Sequence, residues 1–168
     1  YLVIASQVPG VFNLGGDLGL LLRLIRTDNH EELYNYAKAC VDIVYVSYHL
    51  PITTISLVQG DALGGGFEGA LVSQVIIAER QAKMGLPEVL FNFFPGVSAY
   101  SLLARRLDSA RAERIILSGR VYSAEELHEL GVVDVLAENG EGESAVNAYI
   151  KKRSRASNSY RAIQKVRK

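Results

Sequence analysis

The chain has 168 residues, 49% of them hydrophobic, which predicts one globular domain with a sizeable core. Eighteen basic residues balance eighteen acidic ones, so the overall charge gives no reason to expect binding to nucleic acid or to a membrane surface. The single cysteine, Cys40, excludes an internal disulfide and a cysteine-based zinc site, and no apolar run reaches the roughly 20 residues of a membrane helix. We therefore expect a cytoplasmic protein without a metal site.

The first part of the chain alternates predicted strands and helices. LVIAS (2–6) is typical of a strand, and the glycine-containing loop FNLGGD (12–17) follows it. From Glu31 onward, apolar residues recur at helical spacing until Pro51 ends the helix. The pattern then predicts a β-branched strand at 52–60, a helix at 67–73 and a short buried strand at 75–78.

Helices dominate the second part of the chain. Ser123 and Glu126 have the spacing of a capping box, and Gly131 fits the position just after that helix. Further helices are predicted at 98–107 and 109–117, a strand at 132–137, and a C-terminal helix after the acidic turn ENGEGE. The alternation predicts an α/β layered domain with a mainly parallel sheet.

The segment VQGDALGGGFEGAL joins a predicted strand to a predicted helix through three consecutive glycines. Glycine allows backbone N–H groups to approach a ligand closely, and the first N–H groups of a helix have no partner within it. This turn is therefore suited to an anion or an oxyanion, with Glu68 beside it. Two alternatives stay open: a structural turn whose glutamate favours the helix dipole, or a dinucleotide site, for which the glycine spacing is poor.

Glu88 directly follows Pro87 inside an apolar run that contains three phenylalanines. A carboxyl group in apolar surroundings has a raised pKa and can exchange protons near neutral pH, although an exposed loop glutamate would give the same pattern. The loop 12–17 has little side-chain bulk, so it either supplies a second N–H to the same oxyanion or is a simple turn.

These stretches together resemble the crotonase (enoyl-CoA hydratase/isomerase) superfamily, through ALGGGFE (62–68), GLPEVLF (85–91), the later Pro-Gly, YSAEEL and GVVD. Within it, FNLGGDL, VQGDALGGGFEGAL and MGLPEVLFNFFPG are most similar to the bacterial synthases of diffusible fatty-acid signals. The resemblance implies catalytic roles for Glu68 and Glu88 and an oxyanion hole formed by the N–H groups of Leu14 and Gly65. It also implies a set of substrate-binding residues: Gly15, Gly64, Gly66, Leu86 and Phe91.

The resemblance further implies a spiral of ββα units, usually assembled as a trimer, in a single core domain at 1–168 with a basic helix at 143–168. We expect the natural N-terminal strands and C-terminal helical region of the family to be absent from it. No metal or redox cofactor is expected, because the acyl group is carried as a thioester of acyl carrier protein or coenzyme A. Eight basic and no acidic residues at 151–168 suggest docking of an acidic carrier protein near the acyl entrance, or only a solvated helix face.

The implied reaction is dehydration of a 3-hydroxyacyl carrier protein, followed by thioester hydrolysis that releases a fatty-acid signal. In it, Glu88 takes the α-proton and Glu68 assists departure of the hydroxyl group. The alternatives are an enoyl-CoA hydratase or isomerase, and an inert thioester-binding module. Ser98, where many relatives have glycine, and Ser73-Gln74 depart from the family pattern. The apolar residues at 89–94 fit either an acyl pocket or the core.

Overall fold

The structure is a computed structural model that describes residues 1–154 together with residues 158, 159, 162, 163 and 166. The strands are β1 (Leu2–Ile4), β2 (Val11–Asn13), β3 (Thr54–Val58), β4 (Asp61–Leu63), β5 (Val75–Glu79), β6 (Lys83–Gly85), β7 (Val121–Ser123) and β8 (Val135–Ala137). The helices are α1 (Leu18–Arg26), α2 (His30–His49), α3 (Gly65–Leu71), α4 (Ala99–Arg106), α5 (Ser109–Ser118), α6 (Ala124–Glu129) and α7 (Gly142–Ser154), and a 3₁₀-helix spans Pro87–Phe91. Of the basic helix predicted at 143–168, residues 155–157, 160, 161, 164, 165, 167 and 168 lie outside the described residues.

The strands form two four-stranded sheets, and successive strands from β1 to β6 belong alternately to one sheet and the other. The first sheet has the order β1-β3-β5-β8 and is parallel throughout, and the second has the order β2-β4-β6-β7, with only the β6–β7 pair antiparallel. Consecutive strands such as β3 and β4 belong to different sheets, and a helix then leads to the next pair. This arrangement confirms the predicted α/β spiral of ββα units.

The two faces of the first sheet pack against different helices. In β3 and β5, Ile55, Leu57, Val75 and Ile77 contribute to a cluster with Val146 of α7. Their alternate neighbours, including Ile76, belong to the main core with α3, α4 and α5. A strand buried on both faces has no polar face, which explains the continuous apolar run at 75–78. In β3 the buried Ser56 interrupts the apolar residues, and its hydroxyl donates to Ser73 Oγ at 2.8 Å. The helix α7 therefore covers the face of the first sheet opposite the one that α3 covers.

Residues at the two ends of α6 explain where this helix begins and ends. The capping box is present: Ser123 Oγ accepts from the Glu126 N–H, and the Glu126 carboxylate accepts from the Ser123 N–H. Gly131 follows the same helix with φ +86°, as its position after the helix predicted. The predicted strand at 132–137 is shorter, because Val132 and Val133 are buried in the main core and only Val135–Ala137 pairs with β5.

Candidate active site

The second sheet places the glycine turn against the loop at the end of β2. Gly64 has φ +54°, a conformation that glycine adopts freely, and its N–H donates to Gly85 O at 2.9 Å. A Cβ at Gly66 would lie 1.9 Å from Asn13 O, so only glycine fits there. The start of α3 and the end of β2 are therefore in direct backbone contact.

The loop 12–17 is fixed on both sides by hydrogen bonds that the sequence did not reveal. Asn13 Oδ1 accepts from the Gly15 N–H at 2.8 Å, and the Tyr36 hydroxyl of α2 accepts from the Asp17 N–H at 2.9 Å. Gly15 has φ +88°, and a Cβ there would lie 3.0 Å from Gly65 N. Asparagine and tyrosine recur throughout the chain, so no local pattern singled out Asn13 or Tyr36.

Two N–H groups beside this contact have no partner within the part of the chain that the structure describes. Neither the Leu14 N–H nor the Gly65 N–H donates a hydrogen bond there. They lie on two segments that touch at Gly15 and Gly65. An unpaired backbone N–H is a strong donor, and two on adjoining segments can bind an oxyanion.

Glu68 lies in the first turn of α3 with its carboxylate inside the protein. The residue is 1% exposed, and its Oε1 accepts from the Val97 N–H at 3.0 Å and from the Ala99 N–H at 2.8 Å. Burial raises the pKa of the Glu68 carboxyl, the neighbouring charge of Glu88 adds to the increase, and the N–H donors oppose it. The two N–H donors stabilise the charged form of an otherwise desolvated group.

Glu88 lies in the 3₁₀-helix, and its carboxyl group faces the glycine turn. A Cβ at Gly64 would lie 3.2 Å from Glu88 Oε2 and 3.3 Å from Oε1. The Oε2 atom is buried and has no hydrogen-bond partner among the described residues, and burial raises the pKa of this carboxyl. The surroundings of the Glu88 carboxyl thus favour its protonated form.

The two carboxyl groups both lie beside the start of α3 but have different surroundings. The Glu68 carboxylate is held by backbone donors, whereas Glu88 Oε2 is buried without a partner. They are close enough for the charge of Glu88 to raise the pKa of Glu68. A pair of carboxyls in unequal environments can act as base and acid in one reaction.

Of the five residues predicted to bind substrate, three lie where the glycine turn meets the loop 12–17 and two do not. Gly15, Gly64 and Gly66 lie at the contact between the two loops, but the Leu86 side chain is 1% exposed and belongs to the main core. Phe91 is 73% exposed at the end of the 3₁₀-helix. The alternative that the apolar residues at 89–94 form core is wrong for four of them, because their side chains are exposed: Leu90, Phe91, Phe93 and Phe94.

Other parts of the surface do not contribute predicted site residues. A cleft over α5, β7 and α6 is lined by Arg111, Arg114, Ile115, Arg120, Tyr122, Glu126, Glu129 and Leu130, and so includes neither Glu68 nor Glu88. Within the described ranges, no three His, Cys, Asp or Glu side chains gather as metal ligands. Among the same residues, no helix has the length and apolar character needed to cross a bilayer.

The raised pKa of Glu88 predicts a dependence of stability on pH. The ordinary pKa of a glutamate carboxyl is 4.5, and the pKa in the folded protein is higher, so the unfolded chain loses this proton more easily than the folded protein. The stabilising contribution is complete below the unfolded pKa and disappears as pH rises through the folded one. Glu88→Gln should therefore melt at a higher temperature than the parent at about pH 8, with the difference vanishing at about pH 4. Thermal unfolding across that range, with exposed Glu113→Gln as control, measures this, and a less stable Glu88→Gln at the higher pH would contradict it.

Comparison with known sequences relates the chain to enoyl-CoA hydratases. The family model described as enoyl-CoA hydratase/isomerase matches residues 1–167. The mitochondrial methylglutaconyl-CoA hydratase of Rattus norvegicus is 33% identical over 145 residues, which cover 86% of this chain and 45% of the relative. The probable mitochondrial enoyl-CoA hydratase 2 of Arabidopsis thaliana is 33% identical over 139 residues, covering 83% and 45%. The chain thus spans about half the length of the curated relatives it matches.

Solved structures show the same fold. The enoyl-CoA hydratase of Bacillus anthracis superposes with a TM-score of 0.83 and 26% identity, over 90% of this chain and 57% of that one. DspI of Pseudomonas aeruginosa superposes with a TM-score of 0.79 and 27% identity, over 96% and 65%. The α/β spiral is therefore shared with both.

Proposed function

Because the chain belongs to the enoyl-CoA hydratase/isomerase family, the crotonase superfamily predicted from its motifs, we propose that it reversibly hydrates a 2-enoyl-CoA thioester. The observation that carries this proposal is the unequal carboxyl pair, Glu68 and Glu88, beside the Leu14 and Gly65 N–H groups. An inert thioester-binding module would have no need of two carboxyl groups in different environments, one buried at Glu68 and one half-buried at Glu88. Substrate and activity remain proposals because the chain covers about half of each curated relative.

The N–H groups of Leu14 and Gly65 would bind the thioester oxygen. Addition of water at C3 moves electrons toward that oxygen and makes it enolate-like. Fixed donors at the developing charge stabilise the transition state, and the loss of one such donor typically costs about 3 kcal/mol. The hydrogen bonds from Gly15 to Asn13 and from Asp17 to Tyr36 hold the Leu14 segment in position before the substrate arrives.

The carboxyl environments suggest the assignment of acid and base. Glu68, held by two N–H donors, would accept a proton from water as the oxygen attacks C3. Glu88, whose burial raises its pKa, would deliver a proton to C2. The reverse direction is dehydration, in which Glu88 takes the α-proton and Glu68 protonates the departing hydroxyl group. After hydration, Glu68 releases its proton to solvent and Glu88 takes up a proton from solvent, which restores the starting state.

Release of a free fatty acid stays a prediction. The named relatives are coenzyme A hydratases, and this favours the hydratase over the signal synthase. Docking of an acyl carrier protein by the basic segment also stays a prediction: α7 lies on the face of the first sheet opposite to α3, and part of 151–168 lies outside the described residues. Assembly as a trimer and a cytoplasmic location likewise stay predictions, and two of the relatives are named as mitochondrial.

The products distinguish hydration from thioester release. Purified protein given a 2-enoyl-CoA should yield the 3-hydroxyacyl-CoA with its thioester intact, because the proposed groups act on C2, C3 and the thioester oxygen. Mass spectrometry of the quenched mixture measures both the thioester and any free acid. A free 2-enoic acid formed from a 3-hydroxyacyl carrier protein would favour the synthase, and no product from either substrate would contradict both.

A further inference from the structure

The backbone donors on Glu68 flank a residue in an unusual conformation. Ser98 lies between Val97 and Ala99, whose N–H groups both donate to Glu68 Oε1. It has φ +134° and ψ 14°, in a region that glycine adopts and other residues rarely do. Strain of this kind persists only where the surrounding structure enforces it, and it is common at functional sites.

The Ser98 side chain does not explain why a serine stands there. Ser98 is the N-cap of α4, a position where a serine oxygen normally accepts from an N–H of the first turn, yet it makes no such bond. Its carbonyl still accepts from the Leu102 N–H at 3.0 Å, so the helix begins normally on one side. The backbone of Ser98, rather than its hydroxyl group, is therefore the feature that serves the site.

A positive φ at Ser98 lets the N–H groups on either side of it point to one carboxylate oxygen. Successive N–H groups around a left-handed residue form a concave anion site, and here the anion is the Glu68 side chain. If Ser98 took an ordinary negative φ, the peptide planes on its two sides would rotate relative to each other. At least one of the two donors would then turn away from Oε1.

We propose that Ser98 is a positioning residue, whose left-handed backbone holds the Val97 and Ala99 N–H groups on Glu68. This role rests on the proposed function, since it matters for catalysis only if Glu68 acts as the base. It does not depend on the serine hydroxyl. The charge of Glu88 also raises the pKa of the Glu68 carboxyl. The titration of Glu68 is therefore measured with Glu88 replaced by a neutral residue, so that the two groups do not titrate together.

The test is a pH titration of the Glu68 carboxyl by carbon-13 NMR in a Glu88→Gln background, which needs no enzymatic activity. Ser98→Gly keeps the conformation without strain, so it should raise the melting temperature and leave the Glu68 midpoint unchanged. Ser98→Ala should leave both unchanged. Ser98→Val cannot hold this φ and should shift the Glu68 midpoint upward because donors are lost. Ser109→Val, at an exposed helical serine of α5, is the matched control and should not shift it.

The outcomes separate this proposal from the proposed function. A folded Ser98→Val with the parent midpoint would overturn it, and so would a Ser98→Gly that melts at a lower temperature or titrates differently. If Ser98→Val does not fold, the comparison of Ser98→Gly with Ser98→Ala decides. A parent protein that hydrates no enoyl-CoA, while the Ser98→Val midpoint still shifts, would sink the proposed function and leave the positioning role intact.

Discussion

Glu88→Gln should lower kcat for hydration of an enoyl-CoA by about 100- to 10,000-fold, the usual contribution of a positioned acid or base. Glutamine has nearly the same shape but cannot deliver a proton to C2. The KM should change little, because the carboxyl acts in the chemical step rather than in binding. Steady-state kinetics with a 2-enoyl-CoA measure both parameters. A variant with parental kcat would remove Glu88 from the mechanism.

Glu68→Gln should cause a loss of the same order, since an amide cannot accept the proton from water. The double variant should lose little more than either single variant, because groups that act in one step are not additive. Glu113→Gln removes an exposed carboxylate from α5 and should retain parental kinetics. If the two single losses multiplied in the double variant, the carboxyls would be acting in separate steps.

The sequence predicted the first sheet better than the second. Residues 75–78 are all apolar and residues 55–58 are apolar except for Ser56, and both strands are buried throughout, so their pattern is clear. The strands of the second sheet have three residues each, too few for a period of two to be recognised. They were not predicted as separate strands, although the second sheet sets the positions of the glycine turn and the loop 12–17.

In the candidate site, too, the sequence predicted one part and missed another. Glu68, Glu88 and the glycines stood out because their residue types are unusual in their surroundings, and the resemblance joined them. The donors on Glu68 are backbone N–H groups of Val97 and Ala99, and a backbone donor leaves no trace in residue type. The sequence marked Ser98 only as a departure from glycine, because φ is set by the tertiary structure around it.

The contact between the glycine turn and the end of β2 should be the part of the site that tolerates added atoms least. A Cβ at Gly66 would lie 1.9 Å from Asn13 O and 2.5 Å from Asn13 C, both backbone atoms that a rotamer change cannot move. The Asn13 backbone would have to shift, and the Leu14 N–H would shift with it. Gly69 offers a matched control in the same helix, because nothing lies within 4 Å of a Cβ there.

Gly66→Ala should lower the free energy of unfolding by about 1–3 kcal/mol, the usual cost of forcing an extra carbon into a packed region. It should also lower kcat/KM by about 100-fold, because a displacement of about 1 Å at a positioning segment can cost that much. Gly69→Ala should stabilise α3 by about 0.5–1 kcal/mol through the higher helix propensity of alanine and keep parental activity. Urea unfolding and hydration kinetics of the two variants measure these changes. If both variants behaved alike, the close approach of Asn13 to Gly66 would not be what holds the Leu14 N–H beside Gly65.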